Sequence, residues 1–355
     1  MSSRLGAVAA LLAASFAPVA QPLRGPIDVS ARRAVAGHVL PPPPPGPVAP
    51  PIRDLAGVSY YLDASHSIVD PAKKKADQQA FAPLRAYVGR VIDLAGGWVT
   101  SRPPQPAYAA RAVEALARWA GDRALLGTTN QQGVYERAWT LSGLALAYLQ
   151  IRDAPGIDPV ARAAVDAWLS EIAEAVRAGN DHPGRTSSAN NHAYWAGLAV
   201  AATGAATQNR TLFAWGMERA RIGLAQIRPD GFLPLELGRR QLALHYHQFA
   251  LAPLVMLAEL GRANGVDLYS ERAGALRRLA ERVIDGWRDP APFAAAAGVA
   301  QEVKLPPRGV DLAWAEPYYA RFHDPRLAPR LAAARPLRDD RLGGDLTAAF
   351  GVPLP

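Results

Sequence analysis

Asp158-Pro159-Val160-Ala161-Arg162-Ala163-Ala164-Val165-Asp166-Ala167-Trp168-Leu169-Ser170-Glu171-Ile172-Ala173-Glu174-Ala175-Val176-Arg177-Ala178-Gly179 carries the marks of one whole helix. Asp158 has the side chain of an N-cap, Pro159 suits the first helical position, and Gly179 is placed to close the C-terminus. Between these signals Val165, Leu169, Ile172 and Val176 recur at steps of four, three and four, which puts them on a single face. The same pattern returns over residues 107–120, 135–152, 193–203, 212–227, 247–263 and 270–287, the last with Leu276, Leu279, Val283 and Trp287 in register. From residue 82 onward the chain is helical almost without interruption, and strand-like alternation is scarce. Successive helices joined by short loops pack as antiparallel hairpins, side by side. Hairpins in this number close into a ring or stack as a solenoid. No repeat of fixed period is present, which disfavours a regular solenoid, so the expected fold is all-α.

Ahead of the helices, Arg4 is followed by an apolar run over residues 5–16 and by Ala17-Pro18-Val19-Ala20. That is the layout of a secretory signal peptide, with cleavage expected after Ala20. The run is short, Ala-rich and followed at once by Pro22-Leu23-Arg24, so a membrane anchor is not expected. The mature chain is therefore expected in the periplasm. Residues 21–53 are irregular, with prolines at 41–45, Gly46-Pro47 and Pro50-Pro51, and read as a Pro-rich N-terminal arm, either laid over the body or loose. Residues 54–355 are left as one domain.

The chain has no cysteine, which removes disulfides, thiolate nucleophiles and Cys-ligated metals. Stability then rests on core burial, which a chain of this size supports, since domains of roughly 300 residues bury about three quarters of their unfolded surface. The formal net charge of +8, dominated by arginine, suggests a polyanionic partner, although a GC-rich coding bias produces the same composition. No nucleic-acid-binding motif is present, and an exported location favours an acidic polysaccharide.

Two clusters carry candidate chemistry. Asn190-Asn191-His192-Ala193-Tyr194-Trp195 opens an apolar helix after the polar Arg185-Thr186-Ser187-Ser188. Unpaired backbone donors and the helix dipole make such a terminus favourable for a carboxylate. Equally, Asn191 could simply cap the helix while His192 packs inside it. The second cluster runs Asp230-Gly231-Phe232-Leu233-Pro234-Leu235-Glu236-Leu237-Gly238-Arg239-Arg240-Gln241-Leu242-Ala243-Leu244-His245-Tyr246-His247. A helix starting near Gly238 would put Arg239, Ala243 and Tyr246 on one face, with Arg239 and Tyr246 about 10 Å apart along the axis. Glu236 would pair with an arginine. Arg240, Gln241 and His245 read more readily as ordinary surface positions. His245 and His247, two apart, point to opposite sides of a helix, so no metal site is expected. A glycosidase would need two facing carboxylates, for which Glu236 with Asp181 or Asp230 are the candidates. No Gly-x-Ser-x-Gly or phosphate-binding loop is present.

Asn190-Asn191-His192-Ala193-Tyr194-Trp195, together with Leu244-His245-Tyr246 and the Arg239 seven residues before that tyrosine, resembles the alginate lyases of polysaccharide lyase family 5. The likeness extends to Tyr60-Tyr61-Leu62 and Asp70-Pro71, to Tyr135 and Trp139, to Trp215-Gly216, to Gly265-Val266-Asp267-Leu268-Tyr269 and to Arg308-Gly309-Val310-Asp311-Leu312-Ala313-Trp314. It implies an (α/α) toroid, an incomplete α/α barrel of antiparallel hairpins with a deep cleft. Separately, no cofactor is expected, and the chain is taken as a monomer. The resemblance also implies that Asn191 and Arg239 neutralise a uronate carboxylate, that His192 assists as neutraliser or base, and that Tyr246 exchanges protons with the sugar. Tyr61, His66 and Lys73, with Lys74 and Lys75, would correspond to a mobile lid. Gln132, Arg308 and Arg341 would touch substrate, as would Trp195 and Glu236 within the two motifs. Ala193 departs from the serine common in relatives.

These residue types suit β-elimination. The C5 hydrogen of a uronate is acidified only by its carboxyl group, and neutralising that carboxylate lets charge spread onto it as an enediolate. A tyrosine, with a reference pKa of about 10, is a poor base unless cations lower that value, and Arg239 and a charged His192 could do so. In mannuronate the C5 hydrogen and O4 lie on one side of the ring, so Tyr246 could serve both as base and as acid, leaving a 4,5-unsaturated end. Glucuronate shares that relation, so polyglucuronate is an alternative substrate. Two further alternatives are a non-catalytic periplasmic polysaccharide-binding protein and an (α/α) glycoside hydrolase.

Overall fold

Asp70 and Pro71 start the first long helix: the Asp70 carboxylate accepts the N–H groups of Ala72 and Lys73, and Pro71 fills a position whose N–H would have no partner. The structure, a computed structural model, describes residues 21–46, 48–182 and 184–355. The expected signal peptide, residues 1–20, lies outside the described residues. After a short α1 (Val29–Ala36) come α2 (Pro71–Thr100), α3 (Pro106–Gly121), α4 (Gln131–Ile151), α5 (Pro159–Asn180), α6 (Asn191–Ala206) and α7 (Arg210–Gln226). They continue as α8 (Pro234–Leu237), α9 (Ala243–Arg262), α10 (Glu271–Arg288), α11 (Ala291–Ala297), α12 (Ala315–Phe322), α13 (Ala328–Ala334) and α14 (Leu346–Phe350). Regular strand among the described residues is limited to β1 (Arg338–Asp339) and β2 (Gly344–Asp345), paired antiparallel.

Sequence neighbours pair as hairpins, and alternate helices also touch: α2 meets α4, α4 meets α6 and α6 meets α9, while α3 meets α5 and α7 meets α10. The first series is an inner ring and the second an outer one, which is the layout of an (α/α) toroid. α6 sits in the middle of the inner ring, and every one of its 16 residues except His192 is buried. It approaches α7 closely through paired glycines. A Cβ on Gly216 would come within 2.3 Å of the Gly197 carbonyl oxygen, and one on Gly197 within 2.6 Å of the Arg219 Cβ.

Several boundaries differ from the sequence expectation, each for a local reason. The Asp158 carboxylate accepts from Val160 and Ala161 as a cap should, but α5 runs through Gly179 to Asn180. The expected helix at 270–287 is broken near its start, where Arg272, Ala273 and Gly274 adopt left-handed φ of 53°, 54° and 76°. The arm is not wholly irregular, because residues 29–36 form α1 behind the Asp28 cap. Nor is it loose. Trp119 donates its indole N–H to the Ala49 carbonyl, Tyr108 its hydroxyl to Pro41, and Gln105 its amide to Leu40. At the other end Arg32 donates to the carbonyls of Thr347, Ala348 and Gly351, and the buried Glu316 takes Arg335 and Thr347.

Candidate active site

Asn190, not Asn191, caps α6: its side chain accepts the His192 N–H at 3.0 Å. Asn191 is thereby the first helical residue, and its amide is free for other work. Its backbone N–H, one of the unpaired donors of a helix start, goes to Glu236 Oε1 at 2.9 Å. Its side-chain Nδ2 lies 3.0 and 3.1 Å from the two oxygens of the same carboxylate. Asn191 is 0% and Glu236 1% exposed. The expected pairing of Glu236 with an arginine is therefore replaced by a pairing with Asn191, and burial puts Glu236 behind the site rather than against a sugar.

His192 stacks on Tyr135 of α4 at 3.6 Å between ring centroids and faces Trp139 at 6.0 Å. The aromatic wall continues from Trp139 to Phe249 at 5.8 Å and from Phe249 to Tyr246 at 6.2 Å. Burial, helped by Arg239 and His66, pushes the His192 imidazole down to about 3, so it is neutral. A charged His192 acting on Tyr246 is thus not what the structure provides.

The expected helix from Gly238 does not form. Arg240 takes a φ of 51°, which interrupts the chain, and α9 begins only at Ala243. Arg239 consequently reaches Tyr246 from a bend and not from the same helical face, and its guanidinium lies over the phenol ring with Cζ 3.4 Å from the centroid. His247 secures this bend. Its Nε2 accepts the Leu233 N–H at 2.9 Å, so Nδ1 carries the proton and donates to the Ala243 carbonyl at 2.7 Å. Burial pushes its pKa down to about 4. Both ring nitrogens are thus committed to backbone groups.

A loop over residues 57–70 roofs the site. The hydroxyls of Tyr61 and Tyr246 are hydrogen-bonded to one another. Arg239 donates Nε and Nη2 to the His66 carbonyl at 3.1 and 2.8 Å, and Gln241 donates to Ser67 at 3.0 Å. The groove expected as a deep cleft is in this structure covered, with Arg239 9% and Tyr246 7% exposed. Arg239 keeps three further N–H donors. Burial raises the Tyr246 pKa to about 12 against the opposing pull of Arg239 and the Tyr61 hydrogen bond. Cations therefore do not bring this phenol below its reference value here.

The other expected contacts scatter. Lys73 is exposed on the first turn of α2, because the helix starts at Pro71 and takes Lys73, Lys74 and Lys75 out of the loop. Gln132 packs under the roof, its amide 3.5 Å from the Val58 carbonyl. Arg341 is held by Asp339 and lies over Trp195 and Phe249 at 5.3 and 5.2 Å. Trp195, expected to touch sugar, is buried beneath it. Arg308 is exposed on the segment before α12. Tyr135 was quoted from sequence only as part of the resemblance and given no role, and Phe249 and the ion pair of Arg85 with Glu136 at 2.8 Å were not singled out at all. Tyr135 and Trp139, four apart on one face, were the available signal. Of the hydrolase carboxylates, Asp181 is bound by Trp215 and Arg219, Asp230 by Arg228, and Glu236 by Asn191, so each is already engaged by a neighbour.

A family model described as alginate lyase matches residues 57–293. The chain is 42% identical over 325 residues to a polysaccharide lyase of Stenotrophomonas maltophilia, covering 90% of this chain and 93% of that one. It is 35% identical over 335 residues to an alginate lyase of Azotobacter vinelandii, covering 92% and 87%. Alginate lyase A1-III of Sphingomonas species A1, solved as a histidine-to-alanine variant complexed with tetrasaccharide, superposes with a TM-score of 0.83 at 26% identity, covering 93% and 96%. The motifs at the start of α6 and around α9 thus lie within a match that spans most of the chain, and the chain belongs to the alginate lyase family.

Proposed function

We propose that this polysaccharide lyase cleaves the 1,4-glycosidic bond of alginate, preferring mannuronate, by β-elimination to a 4,5-unsaturated uronate end. The carrying observation is the convergence of Arg239 and Tyr246 at 3.4 Å beside the Asn191–His192 turn. Arg239, with donors to spare, and Asn191 would take the uronate carboxylate, and their stabilisation of the developing enediolate supplies the main electrostatic effect. An exported, periplasmic enzyme meeting an acidic polysaccharide fits the basic composition. Among the described residues no helix is long and apolar enough to cross a membrane.

Tyr246 would exchange both protons on the syn path. It enters as a phenol, so its own proton must first leave to solvent before it accepts the C5 hydrogen; the Tyr61 hydroxyl bonded to it, itself pushed above the usual phenol range by burial, can pass that proton on but cannot keep it. A second assignment has support from the same electrostatics: neutral His192 takes the C5 proton and Tyr246 only donates to O4. The pH dependence of kcat/KM separates them. With Tyr246 as base the rate rises about tenfold per pH unit through neutrality. With His192 as base it is flat above about pH 4, the range in which that imidazole is neutral. The reaction itself is tested by incubating the protein with polymannuronate, polyguluronate, alginate and polyglucuronate and following ultraviolet absorbance. New reducing ends without absorbance would mean hydrolysis, and neither signal would mean binding alone.

A further inference from the structure

Asn191 is expected to offer a donor to a carboxylate, yet its donor end faces the protein. Nδ2 sits against both oxygens of Glu236, so the end of the amide turned away from Glu236 is Oδ1, which is buried and has no hydrogen-bond partner. An amide oxygen presented to a uronate anion would repel it. A buried acceptor without a partner also costs about 1–3 kcal/mol. Turning the amide over would place Nδ2 outward, but Oδ1 would then meet Glu236. An ionised carboxylate only accepts, so that contact would be repulsive, whereas a carboxylic acid has a hydroxyl to donate.

We propose that Glu236 works as a neutral carboxylic acid: its carbonyl oxygen accepts the Asn191 backbone N–H, and its hydroxyl donates to Asn191 Oδ1, which turns Nδ2 toward the substrate carboxylate. Glu236 is then a positioning residue, acting through Asn191, and the proposal rests on the lyase reading given above. The surroundings favour the neutral form. Both partners of Glu236 belong to Asn191, and among the described residues no lysine or arginine closes an ion pair with it. Burial raises its pKa, against the Asn191 hydrogen bonds and the more distant Arg239. The titratable groups facing it are Tyr194 of α6, Tyr246 of α9 and Arg239 after α8, while α11 carries no titratable side chain. A neutral Glu236 also adds no negative charge behind a site that must gather it.

Glu236→Gln decides the matter, because glutamine copies the neutral acid: its oxygen accepts the Asn191 N–H and its amide donates to Oδ1, but it cannot hold Nδ2 between two acceptor oxygens as an ionised carboxylate does. The expected result is kcat/KM on polymannuronate within about threefold of wild type at low pH, with the ratio of variant to wild type flat or rising as pH increases. Glu236→Leu, with the fold checked by circular dichroism, should lose about a hundredfold, mostly in kcat if Asn191 acts on the enediolate. A Glu236→Gln variant that loses about a hundredfold at every pH would overturn the proposal. Infrared difference spectra of wild type against Glu236→Gln at neutral pH give a reading that needs no turnover. A carboxylic-acid carbonyl band supports the neutral form, and a carboxylate band alone overturns it. If the wild type cleaved no uronate, the proposed function would fail while the infrared result still determined the state of Glu236.

Discussion

The wall of the site and its roof are built in opposite ways. α6 carries Asn191 and His192 at its start and is buried along its whole length except for His192. Of the roof, residues 57–70, only Ser67 is buried. The roof is held by polar contacts: the Asp63 carboxylate gathers the N–H groups of Ser67 and Ile68 at 2.8 and 2.7 Å and the hydroxyls of Ser65 and Ser67. Tyr61, His66 and Ser67 tie it to Tyr246, Arg239 and Gln241 beside that wall. Loss of a packed wall is felt globally, whereas a segment with few apolar contacts opens locally at a small cost. Changes in the wall should therefore move chemistry or stability, and changes in the roof should move substrate affinity.

The largest effect expected is on chemistry, at Tyr246 of α9, which lies between wall and roof. Tyr246→Phe removes the exchangeable proton and should lower kcat on the order of a thousandfold while leaving circular dichroism unchanged. Retention of more than about a tenth of the activity would break the assignment. Next comes packing: Gly216→Val forces a side chain into the Gly197 carbonyl and should lower unfolding free energy by about 3 kcal/mol in denaturant titration.

A comparable effect belongs to His247, whose pKa is depressed from 6.5 to about 4. The unfolded chain binds the proton first, so stability present above pH 6.5 is lost as pH falls toward 4, by about 3 kcal/mol. Unfolding midpoints across that window should show the loss, and His247→Gln, which does not titrate, should make it smaller by that amount, leaving the part that belongs to His192. The smallest effect is in the roof. Asp63→Ala should raise KM about fivefold, roughly 1 kcal/mol, with the unfolding midpoint unchanged. A lower midpoint with unchanged KM would instead make the roof part of the folded core.

The two regions also differed in how much could be read beforehand. Asn190-Asn191-His192 announced a helix start, and one followed, although which asparagine capped it required coordinates. The Arg239 to Tyr246 stretch was read as continuous helix because its spacing permitted one. The positive φ of Arg240 replaced it with a bend, and such a conformation leaves no mark in a sequence that has arginine at the position. Glu236 was similarly read as a surface partner for arginine. Its burial against Asn191 depends on contact between segments 45 residues apart.

Periodic apolar faces, proline and aspartate at helix starts and the absence of cysteine were enough to determine an all-helical chain stabilised by burial, because those signals act within a few residues of themselves. The tertiary structure alone decided that Arg239 lies on the ring of Tyr246, that His192 is neutral, that the roof closes over both, and that Glu236 holds Asn191 from behind. Each of these depends on desolvation or on distance between segments remote in the chain, and local pattern carries neither quantity.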